Sequence, residues 1–418
     1  MNGQAPRRRS TLLPILLTVG SIAALLTTPL AGVAQARGTC RVRNHTTGVT
    51  YPGSTGPTLQ TAIREATHRD VIVVRGRCVG SFSIRKGLTV IGKPRPGFPV
   101  AMLDGDRMAR VLDVGYRRVY LRDLRITRGL VDVEGGGIRN SGSLVLNSVI
   151  VNDNKAKQWG GGIANQGTLT LKGETRINAN RAGINGGGGI FNLYGTLSLR
   201  GSSRVSRNTS ANVGGGIYNG GQVFMYRSSR VSQNGSGNGG GGIFGGLVTL
   251  YGHARISRNT AGLYIGSSAP GGGMLAGLLT LNGDSRINGN SARSGGGVCG
   301  DGYNLNLMLV MNDRSKIVGN TAVDGGGVCN YETTMIMNDS SRISRNVATR
   351  NGGGVWDLDG AITMTGSASI SGNIAEGGTP SVPSGIGGGI RTCRTALTGV
   401  TTGGNVSANV PDDIAECP

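Results

Sequence analysis

Gly187-Gly188-Gly189-Ile190-Phe191-Asn192-Leu193-Tyr194-Gly195-Thr196-Leu197-Ser198-Leu199-Arg200-Gly201-Ser202-Ser203-Arg204-Val205-Ser206-Arg207-Asn208 holds the essentials of one repeating unit. The unit has three pieces: a short apolar run after the glycines, an alternating run from Thr196 to Leu199, and a third run ending in Val-x-x-Asn. Period-two alternation in segments this short reads as β-strand. Outside this window, a Gly-Gly-Gly run followed by Ile, Val or Met recurs, ten times in all. The apolar residues are Ile138, Ile163, Ile190, Ile217, Ile243, Met274, Val298, Val328, Val355 and Ile390. The nine intervals run from 24 to 35 residues and average 28. A fixed period in that range marks a solenoid, a propeller or an array. Three strands of three to five residues plus turns fill about 28 residues, which suits one coil of a parallel β-helix; a propeller blade needs four strands and about 40 residues. The expected fold is therefore all-β, a parallel β-helix solenoid with three short strands per coil and insertions absorbed at a corner.

Composition agrees. Glycine accounts for 77 of 418 residues and aromatics for only 4%, yet no Gly-X-Y period exists and prolines number 13, which excludes collagen. A hydrophobic content of 37% is more than a disordered linker carries. The formal net charge is +21, from 43 Lys and Arg against 22 Asp and Glu, so a polyanionic partner is a live question.

Residues 1–36 read as an export signal: Arg7-Arg8-Arg9, an apolar stretch from Leu12 to Leu30, then Ala34-Gln35-Ala36 as the cleavage pattern. Pro14, Gly20 and Pro29 interrupt the stretch and disfavour a spanning helix. Cleavage before Arg37 takes the charge to +18 by removing the three arginines. The expectation is a secreted or surface-associated protein in an oxidising compartment with no later transmembrane segment, where six cysteines form disulfides. The remaining chain divides into an N-terminal cap and lead-in coils (37–124), the glycine-rich coils (125–405) and a C-terminal cap (406–418).

Stacked coils turn each column of the repeat into a ladder with rungs about 4.8 Å apart. One column is Asn154, Asn180, Asn208, Asn234, Asn259, Asn290, Asn320, Asn346 and Asn373, whose amides can pair along the stack. Another is Phe191, Tyr218, Phe244 and Leu275, an outward strip best read as packing beneath a turn. Cys299 and Cys329 follow in the same slot of consecutive coils, close enough for a disulfide. Cys40 with Cys78 would fasten the N-terminal cap, and Cys393 with Cys417 the last coil.

The pairing of Gly-Gly-Gly-Ile with Ile/Val-x-x-Asn, as in Ile177 to Asn180, Val205 to Asn208 and Ile256 to Asn259, resembles the repeats of chlamydial polymorphic membrane proteins. It also resembles the secreted right-handed parallel β-helix proteins of the pectate-lyase-like group. Gly stands where the chlamydial repeats have Ala, and Ile or Val where they have Phe. The resemblance implies a right-handed coil, a short capping helix at Thr58-Leu59-Gln60-Thr61-Ala62-Ile63, and lead-in coils at Val71 to Val74, Leu88 to Ile91 and Val119 to Ile126. With 28 residues after Ile390, no translocator barrel is expected.

The group contains polysaccharide lyases and glycoside hydrolases, which need paired carboxylates or acidic Ca²⁺ ligands. Between Glu174 and Asp284 there is no Asp or Glu. Carboxylates that could converge lie at the N-terminal end (Asp104, Asp106, Asp113, Asp123, Asp132, Glu134) and the C-terminal end (Asp301, Asp313, Asp324, Asp339, Asp357, Asp359). Asp313 and Asp339 align one coil apart, in a turn slot assigned with Ser203 and Ser229, where turn formation explains them. His45, His68 and His253 have no partners at metal-ligand or triad spacing, so no catalytic residue, metal or cofactor is expected.

The residue four before the ladder Asn is Arg176, Arg204, Arg230, Arg255, Arg286, Lys316 and Arg342 in seven successive coils, with Arg207, Arg258 and Arg345 as a partial second row. These residues precede an inward apolar one and should point outward. The expected function is a non-catalytic, adhesin-like scaffold binding an extracellular polyanion, an acidic polysaccharide or cell-wall polymer, through this row. The alternative is a polysaccharide lyase or glycoside hydrolase. Specific nucleic-acid recognition is not expected, because no aromatic residues interleave for base stacking. A flat Thr ladder for ice or mineral binding is broken by Phe224 within Thr170, Ser198, Phe224, Thr249 and Thr280.

Overall fold

Each coil starts where its glycines end. Ile190–Asn192 leads to Thr196–Leu199, then Arg204–Ser206, then the two-residue strand Thr209–Ser210, before the next glycine run returns the chain one rung higher. The computed structural model describes residues 39–262, 269–275, 277–300, 308–332, 334–377, 387–393, 405–407, 409 and 414–416. Over them the chain winds as an all-β parallel solenoid. Strands equivalent to Ile190–Asn192 form face I (13 strands), those equivalent to Thr196–Leu199 face II (12, extended to a 14-stranded sheet by two antiparallel strands of the cap), and those equivalent to Arg204–Ser206 face III (13). A fourth, short ladder was not expected from the sequence. It joins six strands from Leu130–Val131 to Thr260–Ala261 and resumes over three from Thr321–Asp324 to Ile374–Ala375. Its inward column is small and buried, with Ala156, Ala182, Ser210, Ser236 and Ala261, which lets the chain turn tightly there.

The apolar residues after the glycines stay in register from Ile138 through Ile163, Ile190, Ile217, Ile243, Met274, Val298, Val328 and Val355 to Ile390. All ten are fully buried, as are Leu197, Leu199 and Val205 from the other faces of one coil. Burial of each such side chain is worth roughly 1.5–3 kcal/mol. Most of the variation in repeat length falls at two corners: between the short ladder and the glycines, and between faces I and II, as from Cys299 to Met308.

The N-terminal end is closed by one helix, α1 (Gly56–Glu65), with Pro57 in its first turn and Leu59, Ala62 and Ile63 buried. Beside it Arg41–Asn44 pairs antiparallel with both Thr50–Tyr51 and Val71–Arg75, which occupies the edge that the first parallel strand would leave open. The lead-in strands lie at Val71–Arg75, Leu88–Lys93, Arg118–Arg122 and Leu124–Thr127. The stretch from Val119 to Ile126, read as one lead-in segment, is two strands on different faces, broken at Asp123, whose φ is 53°. Cys40 is bonded to Cys78 and Cys299 to Cys329, with Cα atoms 4.5 and 4.6 Å apart. The third expected pairing depends on Cys417, which with residues 1–36 lies outside the described residues. Among the described residues no helix is long and apolar enough to cross a membrane.

Candidate functional site

The glycine corner sets what the outer surface can be. In every repeat the first of the three glycines before the apolar residue has a positive φ, between 57° at Gly240 and 70° at Gly387. The second and third leave no room for a side chain. A Cβ on Gly188 would collide with the carbonyls of Gly215 and Thr209, and one on Gly189 would lie 2.7 Å from the Gly216 oxygen. The glycine run folds over the outward strip of face I, so Phe191, Leu275, Cys299 and Cys329 are buried. Trp159 stacks on Phe191 with ring centroids 4.5 Å apart, and Tyr218 and Phe244 continue the strip at 5.1 Å. Trp356 joins the Cys299–Cys329 pair in a small second core. The strip is turn packing, and face I offers no aromatic platform there.

Beyond the glycines, the corner after face III carries the asparagine ladder. Each Nδ2 donates to the Oδ1 of the next coil at 2.9–3.0 Å from Asn154 through Asn373, and Asn373 donates to Asn409, a tenth rung. Asn409 closes Val406-x-x-Asn409, the repeat motif set 36 residues after Asn373, well outside the mean period of 28. A second amide ladder, Asn140 to Asn165 to Asn192 to Asn219, runs along the end of face I at 2.7 Å per step. The recurring Ile-x-Asn was its signal.

Face III brings the basic row together. Arg176, Arg204, Arg230, Arg255, Arg286, Lys316 and Arg342 are direct register partners in seven consecutive strands. At about 4.8 Å per rung the row spans roughly 29 Å. Only Arg176 has an ion pair among the described residues, with Glu174 at 3.2 Å. Arg286 Nε is buried without a hydrogen-bond partner. Burial, then the charges of Arg204 and Arg255, lower the pKa of Arg230. Beside the row stand neutral Asn178, Ser206, Ser232, Ser257 and Asn288, so apart from Glu174 at Arg176 these strands carry no charge that offsets the row. The second row is discontinuous: Arg207, Arg258 and Arg345 occupy a left-handed turn position shared with Ala179, Gln233, Gly289 and Gly319.

The carboxylates of the N-terminal end do not form an acid pair; cations hold most of them. Asp104 sits 2.6 Å from both Arg77 and Arg128, which also reach Asp106. Arg85 and Arg139 hold Asp113 at 2.9 and 2.6 Å. Partial burial opposes the charge of Asp113, but the two guanidinium groups outweigh it and hold the carboxyl down at about 2. Asp123 pairs with Arg122 and Asp132 with Lys157. At the other end, Arg350 takes Asp324, and Asp301 lies outside the described residues. Asp313 and Asp339 are turn residues, with φ of 58° and 57°, and Asp339 Oδ2 accepts the Asp313 N–H at 2.9 Å. Their slot is not that of Ser203 and Ser229. It is two residues earlier, in the left-handed position of Gly201 and Gly252, while Ser203 and Ser229 are fully buried.

Sequence reading missed one surface cluster, Lys172, Arg200, Tyr226 and Tyr251, at the corner between faces II and III. Its members lie 25 to 28 residues apart and align only when face II is counted to its last residue. No family model matches the chain, and comparison with curated proteins and with solved structures finds no match.

Proposed function

We propose that the chain is a secreted, non-catalytic scaffold that binds an extracellular polyanion, an acidic polysaccharide or cell-wall polymer, along face III. The observation that carries this reading is the row of seven cations in direct register, six of them without an ion pair among the described residues. Two charges one rung of about 4.8 Å apart in water repel by about 0.9 kcal/mol before salt screening, so the six adjacent pairs of the row store a few kcal/mol that a linear polyanion would relieve. Two disulfides agree with an oxidising compartment, and the signal-like residues 1–36 with export. Within this reading the likeness to polymorphic membrane protein repeats and to pectate-lyase-like β-helices makes the chain an adhesin-like member of that structural type. The carbohydrate-active alternative gains no support from Asp104, Asp106 or Asp113, which are engaged by arginine.

The test is binding of the mature protein to heparin and to teichoic-acid resin across a salt series. Retention near physiological salt that drops when Arg204, Arg230 and Arg255 are replaced by Ser supports the reading. Absence of salt-dependent binding to any polyanion sinks it, and product release from acidic polysaccharides, with or without Ca²⁺, would favour the enzyme.

A further inference from the structure

The corner between faces II and III carries a second surface, next to the arginine row. Backbone bonds from Arg200 N to Leu171 O, Tyr226 N to Leu199 O and Tyr251 N to Met225 O align Lys172, Arg200, Tyr226 and Tyr251 in successive coils. The rings of Tyr226 and Tyr251 are within 4° of parallel with centroids 5.1 Å apart, and the Arg200 guanidinium carbon lies 4.8 Å from the Tyr226 centroid. With Arg227, Ser228, His253 and two turn glycines they line an open cleft of about 540 Å³. No carboxylate lines it, and Lys172, Arg200 and Arg227 have no ion pair among the described residues. Asp284, at its margin, is taken by Arg314 at 3.1 Å and lies 3.7 Å from His253 Nδ1.

The geometry points to a subsite in this cleft for one ring of an anionic saccharide, such as a uronate or sulfated sugar, whose chain continues along the arginine row. This rests on the polyanion reading of that row and adds what kind of polyanion it is. Tyr226 lies between Arg200 of the preceding coil and Tyr251 of the following one, so a planar base finds no free face on that ring. What remains are the outer face of Tyr251, ring edges, phenolic hydroxyls, the Ser228 hydroxyl and the His253 imidazole. Those groups suit a ligand that presents C–H edges and many hydroxyls together. A carboxylate or sulfate on the same ring meets Lys172, Arg200 and Arg227. The cleft also adjoins the row in sequence: Gly201, Ser228 and His253 stand two or three residues before Arg204, Arg230 and Arg255.

Affinity of the full chain for two probes separates the ideas: a heparin-derived hexasaccharide, which has sugar rings, and inorganic polyphosphate of matched charge, which has none. The expected result is that Tyr226→Ala with Tyr251→Ala weakens the hexasaccharide ~5-fold or more while polyphosphate stays within about twofold. Lys172→Gln with Arg200→Gln is the second variant; it should lower hexasaccharide affinity more than polyphosphate affinity, and thermal melts check that both variants fold. Equal effects on the two probes, or none, overturn the subsite but leave the row. A larger loss for single-stranded DNA than for the hexasaccharide overturns it in favour of base stacking. Failure of the unaltered protein to bind either probe in a salt-dependent way overturns the row itself.

Discussion

Asn208 Oδ1 accepts two hydrogen bonds from Asn180, one from the backbone N–H and one from Nδ2–H, each 3.0 Å long. Asn208 Nδ2 in turn donates to Asn234 Oδ1 at 3.0 Å and to the Ile177 carbonyl at 2.9 Å. One fully buried side chain therefore links three coils, satisfying polar groups of the coil before its own and of the coil after it. Asn208→Ala leaves two buried donors of Asn180 unmet, at about 1–3 kcal/mol for each such group. The expected cost is about 3 kcal/mol, read as a lower urea midpoint with unchanged slope. A loss below about 1 kcal/mol would mean that water replaces the amide.

Asp357 occupies the second amide column, where Asn140, Asn165, Asn192 and Asn219 stand in earlier coils. It is 1% exposed, and burial, only partly offset by the Asn330 amide, raises its pKa. A buried acid with a raised pKa destabilises the native state above that pKa and stops doing so as pH falls through it. Asp357→Asn should thus raise the melting temperature at pH 7, by about 1 kcal/mol of stability, with the gain shrinking in acid. An unchanged or lower melting temperature at neutral pH would contradict this.

For Asp113 the sign is opposite. Its carboxyl, held at about 2 against an ordinary value of 3.8, contributes stability that is present above the ordinary value and lost as pH falls through the depressed one. That amounts to about 2 kcal/mol between about pH 4 and pH 2. Asp113→Asn should flatten this part of the stability profile, measured by chemical denaturation at stepped pH; a profile as steep as that of the parent protein would count against the assignment.

Arg230 carries like charges on both sides, from Arg204 and Arg255. Arg230→Gln should therefore stabilise the free protein by up to about 1 kcal/mol at low ionic strength, and by less as salt screens the row. The same change should weaken polyanion binding and lower its salt dependence. Destabilisation at low salt would show that the arginine stem contributes packing that exceeds the repulsion.

The coil, its three faces, the asparagine ladder and the arginine row were legible because each repeats one residue type at one place per period. Features that spread over several residue types were not. The corner cleft combines Lys172, Arg200, Tyr226 and Tyr251, three residue types in one column, and no composition count marks it. The short fourth ladder was invisible for another reason: two-residue strands such as Arg181–Ala182 are too brief for alternation to register. The turn slot of Asp313 lies two residues before that of Ser203, since polar turn residues run together there, as in Gly201-Ser202-Ser203 and Asp339-Ser340-Ser341, and only the backbone conformation separates a buried Ser315 from a left-handed Asp313.

The gap of 36 residues between Asn373 and Asn409 leaves their hydrogen bond at 3.0 Å, the same as between Asn180 and Asn208. Loop growth is thus decoupled from rung spacing. The solenoid behaves as a gauge whose graduations stay even however much chain is spliced between them, and a tandem duplication of one coding unit would lengthen it by one graduation. Where the duplicated unit carries an arginine at the row position, the charged face grows in the same step, so reach and charge would evolve together at constant pitch.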